Sequence, residues 1–226
     1  MIPFGQCLNS AHAPNANMKL LAFTDLHEDP ADLRQVKKKA AHADLIVCAG
    51  DFTIFGRDTE GVLSALNHLG KTVLLIHGNH EFEEQVEALT ENLENIVYLH
   101  ERYWKTGPYT FVGYGGGGFS KTDPRLEDIK EDLAAFLKKN GILVVHQPPF
   151  GTRIDKLPWF DDHVGSKSIR SLIEQAKPLL CLCGHLHETF HEHDRIGKTH
   201  IINPGPDGEL IDLNTLHTPA KRRKKQ

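Results

Sequence analysis

Eight residues able to ligate metal or transfer protons stand directly behind short apolar runs. Asp25 and His27 follow Leu20–Phe23, Asp51 follows Leu45–Ala49, and Asn79 and His80 follow Val73–Ile76. His146 closes the run Ile142–Val145, and His185 and His187 come after Leu179–Cys183. Carboxylate, imidazole and amide oxygen are borderline-to-hard donors that suit Mn²⁺, Fe or Zn²⁺, manganese foremost. One carboxylate can bridge two ions about 3.5–4 Å apart, as in two-metal hydrolases. Such a pair lowers the pKa of a shared water, orients it for in-line attack and neutralises charge on a phosphoryl group. A histidine not spent on metal can protonate the leaving oxygen. Asp-x-His or Gly-Asp alone recurs by chance, whereas the ordered set on five successive strand ends does not. With 15 histidines in 226 residues, the composition points the same way.

The elements that must position these residues follow from hydrophobic period. The five apolar runs read as buried strands. Helical spacing occupies Ala31–Ala41, Val62–Leu69, Phe82–Leu93 and Leu126–Leu137, and Ser166 caps a further helix to Ala176. This alternation predicts right-handed βαβ units and a largely parallel sheet, whose carboxyl edge gathers all five strand ends in one place. From about residue 96 to 115 and again from 188 to 213 the pattern shifts to short antiparallel strands, a second sheet or the far edge of the first. An α/β fold in a single domain, residues 18–215, is expected. It is preceded by a flexible leader, 1–17, and followed by a basic disordered tail, 216–226.

Composition narrows the function classes. The chain is 39% hydrophobic and 25% charged, as in ordinary folded domains, with a formal net charge of −4. No global basic field recruits nucleic acid, and no apolar run approaches the roughly 18 residues of a membrane helix. Cys48, Cys181 and Cys183 lie inside apolar runs and read as buried thiols, since no second pair completes a zinc site with Cys181 and Cys183. Reduced thiols point to the cytoplasm. The run Lys221–Lys225 reads as a solvated tail, with a nonspecific contact to nucleic acid as the sharper alternative.

Asp25-x-His27, Gly50-Asp51, Gly78-Asn79-His80-Glu81, His146 and Gly184-His185-x-His187 resemble the calcineurin-like metallophosphoesterases. The small archaeal and bacterial branch related to cyclic-nucleotide phosphodiesterases is the most similar. The resemblance covers about residues 18 to 213. It implies a four-layer α/β/β/α sandwich with a dinuclear metal site at the C-terminal ends of the strands. By the same resemblance Asp25, His27 and His187 hold one divalent ion, Asn79, His146 and His185 hold the second, and Asp51 bridges them. His80 is then the general acid in attack by a metal-bridging hydroxide. Protein phosphatases of this superfamily carry Gly-Asp-x-x-Asp-Arg-Gly, whereas this chain has Ile54 and Phe55 at the second Asp and the Arg. That departure points away from a protein phosphatase, and it leaves Glu81 as the candidate to orient His80.

The expected activity is therefore hydrolysis of small nucleotide-like phosphodiesters. A nuclease using the basic tail, and a non-enzymatic scaffold on the same fold, are the alternatives. His163, Arg153 and Gly116 are candidate substrate contacts. His163 and Arg153 sit in the long loop after His146, and Gly116 belongs to the run Gly115–Gly118 behind an apolar strand. Trp159 and Phe160, in the same loop as His163, could stack on a base or serve as a hydrophobic lid. His77 is read as structural.

Overall fold

The computed structural model of the chain describes residues 7–9, 18–138 and 140–217. In chain order the elements are β1 (Cys7–Asn9), β2 (Lys19–Phe23), α1 (Pro30–Ala40), β3 (Leu45–Cys48), α2 (Thr59–Asn67), β4 (Val73–Leu75), α3 (Glu83–Thr90) and β5 (Ile96–Tyr98). Then come β6 (Arg102–Thr106), β7 (Tyr109–Tyr114), α4 (Pro124–Phe136), β8 (Gly141–Val145), α5 (Lys167–Ala176), β9 (Leu180–Leu182), β10 (His193–Ile196), β11 (Thr199–Ile202) and β12 (Glu209–Asp212). Asp29, Asp123 and Ser166 cap α1, α4 and α5 by accepting backbone N–H bonds, and proline follows the first two caps.

The five apolar runs do not share one sheet. β2, β3 and β4 run parallel in a five-stranded sheet ordered β12-β2-β3-β4-β5, while β8 and β9 lie in a seven-stranded sheet ordered β1-β6-β7-β8-β9-β11-β10. The late and middle short strands divide between both: β5 extends the first sheet in parallel, β12 edges it antiparallel, and the hairpins β6–β7 and β10–β11 join the second. A fully apolar run shows that both faces of a strand are covered, but helix and sheet cover them equally well. Here alternate side chains go to different layers. Leu20, Ala22, Leu45, Val47 and Leu74 meet Phe111, Ile142, Val144 and Leu180 between the sheets. Leu21, Phe23, Ile46 and Leu75 face the helix side with Val36, Leu63 and Val86, and Leu143, Val145 and Cys181 pack with Leu126, Leu133 and Leu172. The result is the four-layer α/β/β/α sandwich.

Cys48, Cys181 and Cys183 are free and buried, the last two in the outer core of the second sheet. Within the expected leader, Cys7–Asn9 pairs parallel with β6, Cys7 opposite Tyr103. The rest of the leader and the basic run 221–226 lie outside the described residues. Among those described, no helix is long and apolar enough to cross a membrane.

Candidate metal centre

The carboxyl ends of both sheets converge, and backbone bonds lock them. Asp25 N donates to Gly50 O (3.0 Å) and His27 N to Asp51 O (3.1 Å), tying the β2 and β3 exits together. His185 N donates to Asp25 Oδ2 at 2.9 Å, so the β9 exit of one sheet binds the β2 exit of the other. Approach this close needs glycine. A Cβ at Gly184 would fall on Thr24 Oγ1 and Asp25 Oδ2, and one at Gly78 on Asp51 Oδ1. Asp25, His27, Glu28, Asp51, Phe55 and His185 all adopt positive φ, 46° to 72°. Each such residue costs on the order of 1–3 kcal/mol, and concentration at one place marks strain held for a site.

Three overlapping groups of donor atoms result, each with all its atoms within 4.8 Å of one another: Asp25, His27 and His187; His27, Asp51 and His80; Asp51, His146 and His185. The first holds Asp25, His27 and His187 as expected for one ion. The third holds His146 and His185 of the other set with Asp51, which the second group shares but the first does not contain. Asn79 is exposed on the turn between Gly78 and His80. His146 Nδ1 donates to Ala49 O at 2.9 Å, which leaves Nε2 facing Asp51 Oδ2 at 3.1 Å. Likewise His27 Nδ1 donates to Thr53 O (3.0 Å), and its Nε2 meets Nε2 of His187 at 3.1 Å. Lone-pair atoms this close repel unless a proton or a metal ion lies between them. Nε2 of His146 and of His185 are buried without a hydrogen-bond partner, as is Nε2 of His100 outside these groups. Burial disfavours charge on His146, yet the Asp51 carboxylate facing its Nε2 outweighs it and pushes this imidazole up to about 9. Asp51 is held down to about 2 against its own burial, chiefly by His146. The place demands positive charge, and its imidazole and carboxylate donors fit divalent manganese, iron or zinc.

Glu81 does not orient His80. Its buried carboxylate accepts from Gly78 N (2.8 Å), Asp51 N (3.0 Å), Thr53 N (2.8 Å) and Thr53 Oγ1 (2.8 Å), fixing the turn that carries Asp51. His80 is placed instead by Phe55, whose ring stacks on the imidazole at 4.3 Å and 16° and whose N–H points to Nδ1 at 3.4 Å. That acceptor role at Nδ1 puts the proton of the neutral ring on Nε2, 3.9 Å from Asp51 Oδ2. Sequence marked Phe55 only as a lost arginine, and a four-bond acceptor such as Glu81 leaves no pattern beyond Gly-Asn-His-Glu.

The other expected contacts divide. Gly116 N donates to His77 O at 3.0 Å, behind the metal turn. His163 Nδ1 is bonded to buried Asp155 Oδ1 at 2.8 Å. Arg153 is not brought to the histidine groups. Its guanidinium donates to His193 O, its N–H to Asp194, and it lines a separate cavity of about 610 Å³ with β10, β11 and β12. His77 is structural as expected, buried and bonded through Nδ1 to Tyr98 OH at 2.6 Å.

Comparison with known proteins agrees with this geometry. The chain is 35% identical over 206 residues to protein MJ1162 of Methanocaldococcus jannaschii, covering 86% of this chain and 91% of that one. Its fold is similar to TT1561 of Thermus thermophilus (TM-score 0.69, 19% identity, 89% and 96% of the two chains). It is also similar to a dimetal phosphatase from Danio rerio (TM-score 0.55, 14% identity, 82% and 86%). The family model described as calcineurin-like phosphoesterase matches residues 18–189. This chain belongs to the calcineurin-like phosphoesterase family.

Proposed function

We propose that the chain hydrolyses phosphodiesters of small, nucleotide-like molecules. Asp25, His27 and His187 would hold one divalent ion and Asn79, His146 and His185 the other, with Asp51 common to both. When bound, the two ions supply Lewis-acid stabilisation of phosphoryl charge and a nucleophilic water near neutral pH. The chain's own residues do the rest. Ala49 O and Thr53 O fix the tautomers of His146 and His27, so that Nε2 of each is turned inward. His80, with its proton on Nε2 and its ring held by Phe55, donates to the leaving oxygen.

The observation that carries the diester reading is Phe55. A phosphomonoester dianion calls for a cation beside the acid histidine, whereas an exposed aromatic ring stands here, as suits a singly charged diester. The test is hydrolysis of bis-p-nitrophenyl phosphate and p-nitrophenyl phosphate by manganese-loaded protein, with and without chelator. Chelator-sensitive turnover favouring the diester is expected. Preference for the monoester would turn the reading into a phosphatase, and no turnover of either would favour the scaffold. The nuclease alternative rests on residues 221–226 and predicts single-stranded DNA binding that salt and deletion of that run abolish.

A further inference from the structure

Two phenylalanines stand exposed at the mouth of this polar centre, Phe55 at 71% and Phe119 at 66%. Neither is a stray surface residue. Phe55 stacks on His80, and Phe119 leans on His185 with ring centroids 4.6 Å apart and an angle of 56°. A ring nitrogen of each of these histidines lies within 4.8 Å of an Asp51 oxygen. The two rings therefore each lie against a histidine beside the same carboxylate, Phe55 from the loop after β3 and Phe119 from the loop after β7. Backbone conformation is committed to placing them. Phe55 takes φ 52°, which a bulky side chain rarely adopts. Phe119 is reached through Gly116, Gly117 and Gly118, with φ of 79°, 129° and 135°, a path only glycine follows readily.

We propose that Phe55 and Phe119 are the walls of a slot for a flat aromatic group, a nucleobase in the first instance, joined to the phosphoester at Asp51. This rests on the phosphodiesterase reading and names its substrate class: nucleoside or aryl phosphodiesters, not alkyl or sugar ones. An aromatic wall reads the π-face common to all bases and makes no edge hydrogen bonds, so the slot tolerates purine and pyrimidine alike. Trp159 and Phe160 are the rival stacking residues. They belong to a loop tied to Lys121 through Asp162 at 2.7 Å.

The test measures binding of AMP and ribose 5-phosphate by calorimetry to manganese-loaded wild type, Phe55→Ala, Phe119→Ala and Trp159→Ala. Wild type is expected to prefer AMP by tenfold or more. Each phenylalanine truncation should lower that ratio by about tenfold, and Phe55→Tyr and Phe119→Tyr should restore it. Trp159→Ala should leave the ratio unchanged. Equal affinity for the two ligands, no measurable AMP binding, or a ratio moved only by Trp159→Ala overturns the slot. Metal content and diester turnover of the same samples separate the two readings. A preference for AMP without chelator-sensitive turnover keeps the slot and removes the diesterase. Diester turnover with no preference for AMP does the reverse.

Discussion

His27, His146 and His185 around Asp51, and His77 and His100 beside Tyr98, are neighbouring groups of buried or half-buried imidazoles. In the second group each ring has one bonded nitrogen, although Nε2 of His100, like that of His146 and of His185, is buried without a hydrogen-bond partner. His77 Nδ1 meets Tyr98 OH, His100 Nδ1 accepts from Gly115 N at 2.8 Å, and the two rings sit edge to face at 4.7 Å. Burial, helped by their mutual repulsion with other cationic groups, pushes His77 down to about 4 and His100 to about 2. In the first group Asp51 reverses the sign for His146, which rises to about 9 in spite of burial, while burial and the neighbouring His146 still push His185 down to about 4. Histidine content and burial are thus common to both. What separates a centre asking for cations from a neutral core is one shared carboxylate and a backbone strained to aim it.

Removing that carboxylate should have the largest effect. Asp51→Asn is expected to drop bound metal from two ions per chain to near none and diester turnover by on the order of 10³ or more. Elemental analysis beside an activity assay reads both. His100→Asn should keep both ions, and if it loses them as Asp51→Asn does, the two clusters are not distinct. His80→Ala comes next: metal retained, turnover reduced by about 10²–10⁴ if the ring donates a proton to the leaving group. Wild-type turnover in that variant would remove His80 from the chemistry.

These contrasts also show what a sequence can carry. The strand ends were legible because apolar runs of four or five residues stop abruptly at Asp25, Asp51, His146 and His185. The helices were legible from period, and α5 also from its cap at Ser166, whereas the caps at Asp29 and Asp123 emerge with the structure. The family resemblance implied two sheets, but which runs belong to which sheet was not legible in the period, because Val47 and Ile46 look alike in sequence although one faces a sheet and the other a helix. Positive φ at Asp25, Asp51 and His185 leaves no trace either, since tertiary contacts impose it where glycine is absent. Arg153 lay beside the right loop, but its orientation depends on the β10 carbonyl it meets. Phe55 takes the place beside His80 that position suggested for Glu81, while Glu81 braces the turn bearing Asp51. Neither a ring's stacking nor a carboxylate's reach to backbone N–H groups is written in the motif.

Glu81 offers a smaller but sharper test. Its buried carboxylate takes four hydrogen bonds from the segments bearing Asp51 and Gly78, so it acts through Asp51 and not on substrate. Glu81→Gln replaces one acceptor oxygen with a donor facing N–H groups. Metal affinity is expected to fall 10–100-fold, the usual consequence of disturbing a ligand's supporting bonds. Competition with a graded chelator measures it, and an unchanged affinity would limit Glu81 to folding.

The smallest effect probes the neutral cluster through pH. Nε2 of His100 lies 3.4 Å from Glu83 and 3.7 Å from Glu101, two carboxylates that also pair with Arg125. They do not charge the ring, because Nε2 already carries the proton of the neutral form and Nδ1 is occupied by Gly115 N–H. Folded, His100 takes a second proton only near pH 2; unfolded, it does so near 6.5. Above pH 6.5 both states are neutral and pH has no leverage on this residue. Below it the unfolded chain binds a proton that the folded chain refuses, so stability falls as acid is added, by up to about 1.4 kcal/mol per unit. His100→Asn keeps an acceptor for Gly115 N–H and removes the titration. Between pH 6.5 and 5.5, urea unfolding at fixed metal concentration should show wild type losing about 1 kcal/mol more than the variant. His77, present in both, cancels from that difference. Identical slopes would mean that His100 is protonated in the fold, and the boundary between the two clusters would have to be redrawn around Glu83 and Glu101 as a second charged site.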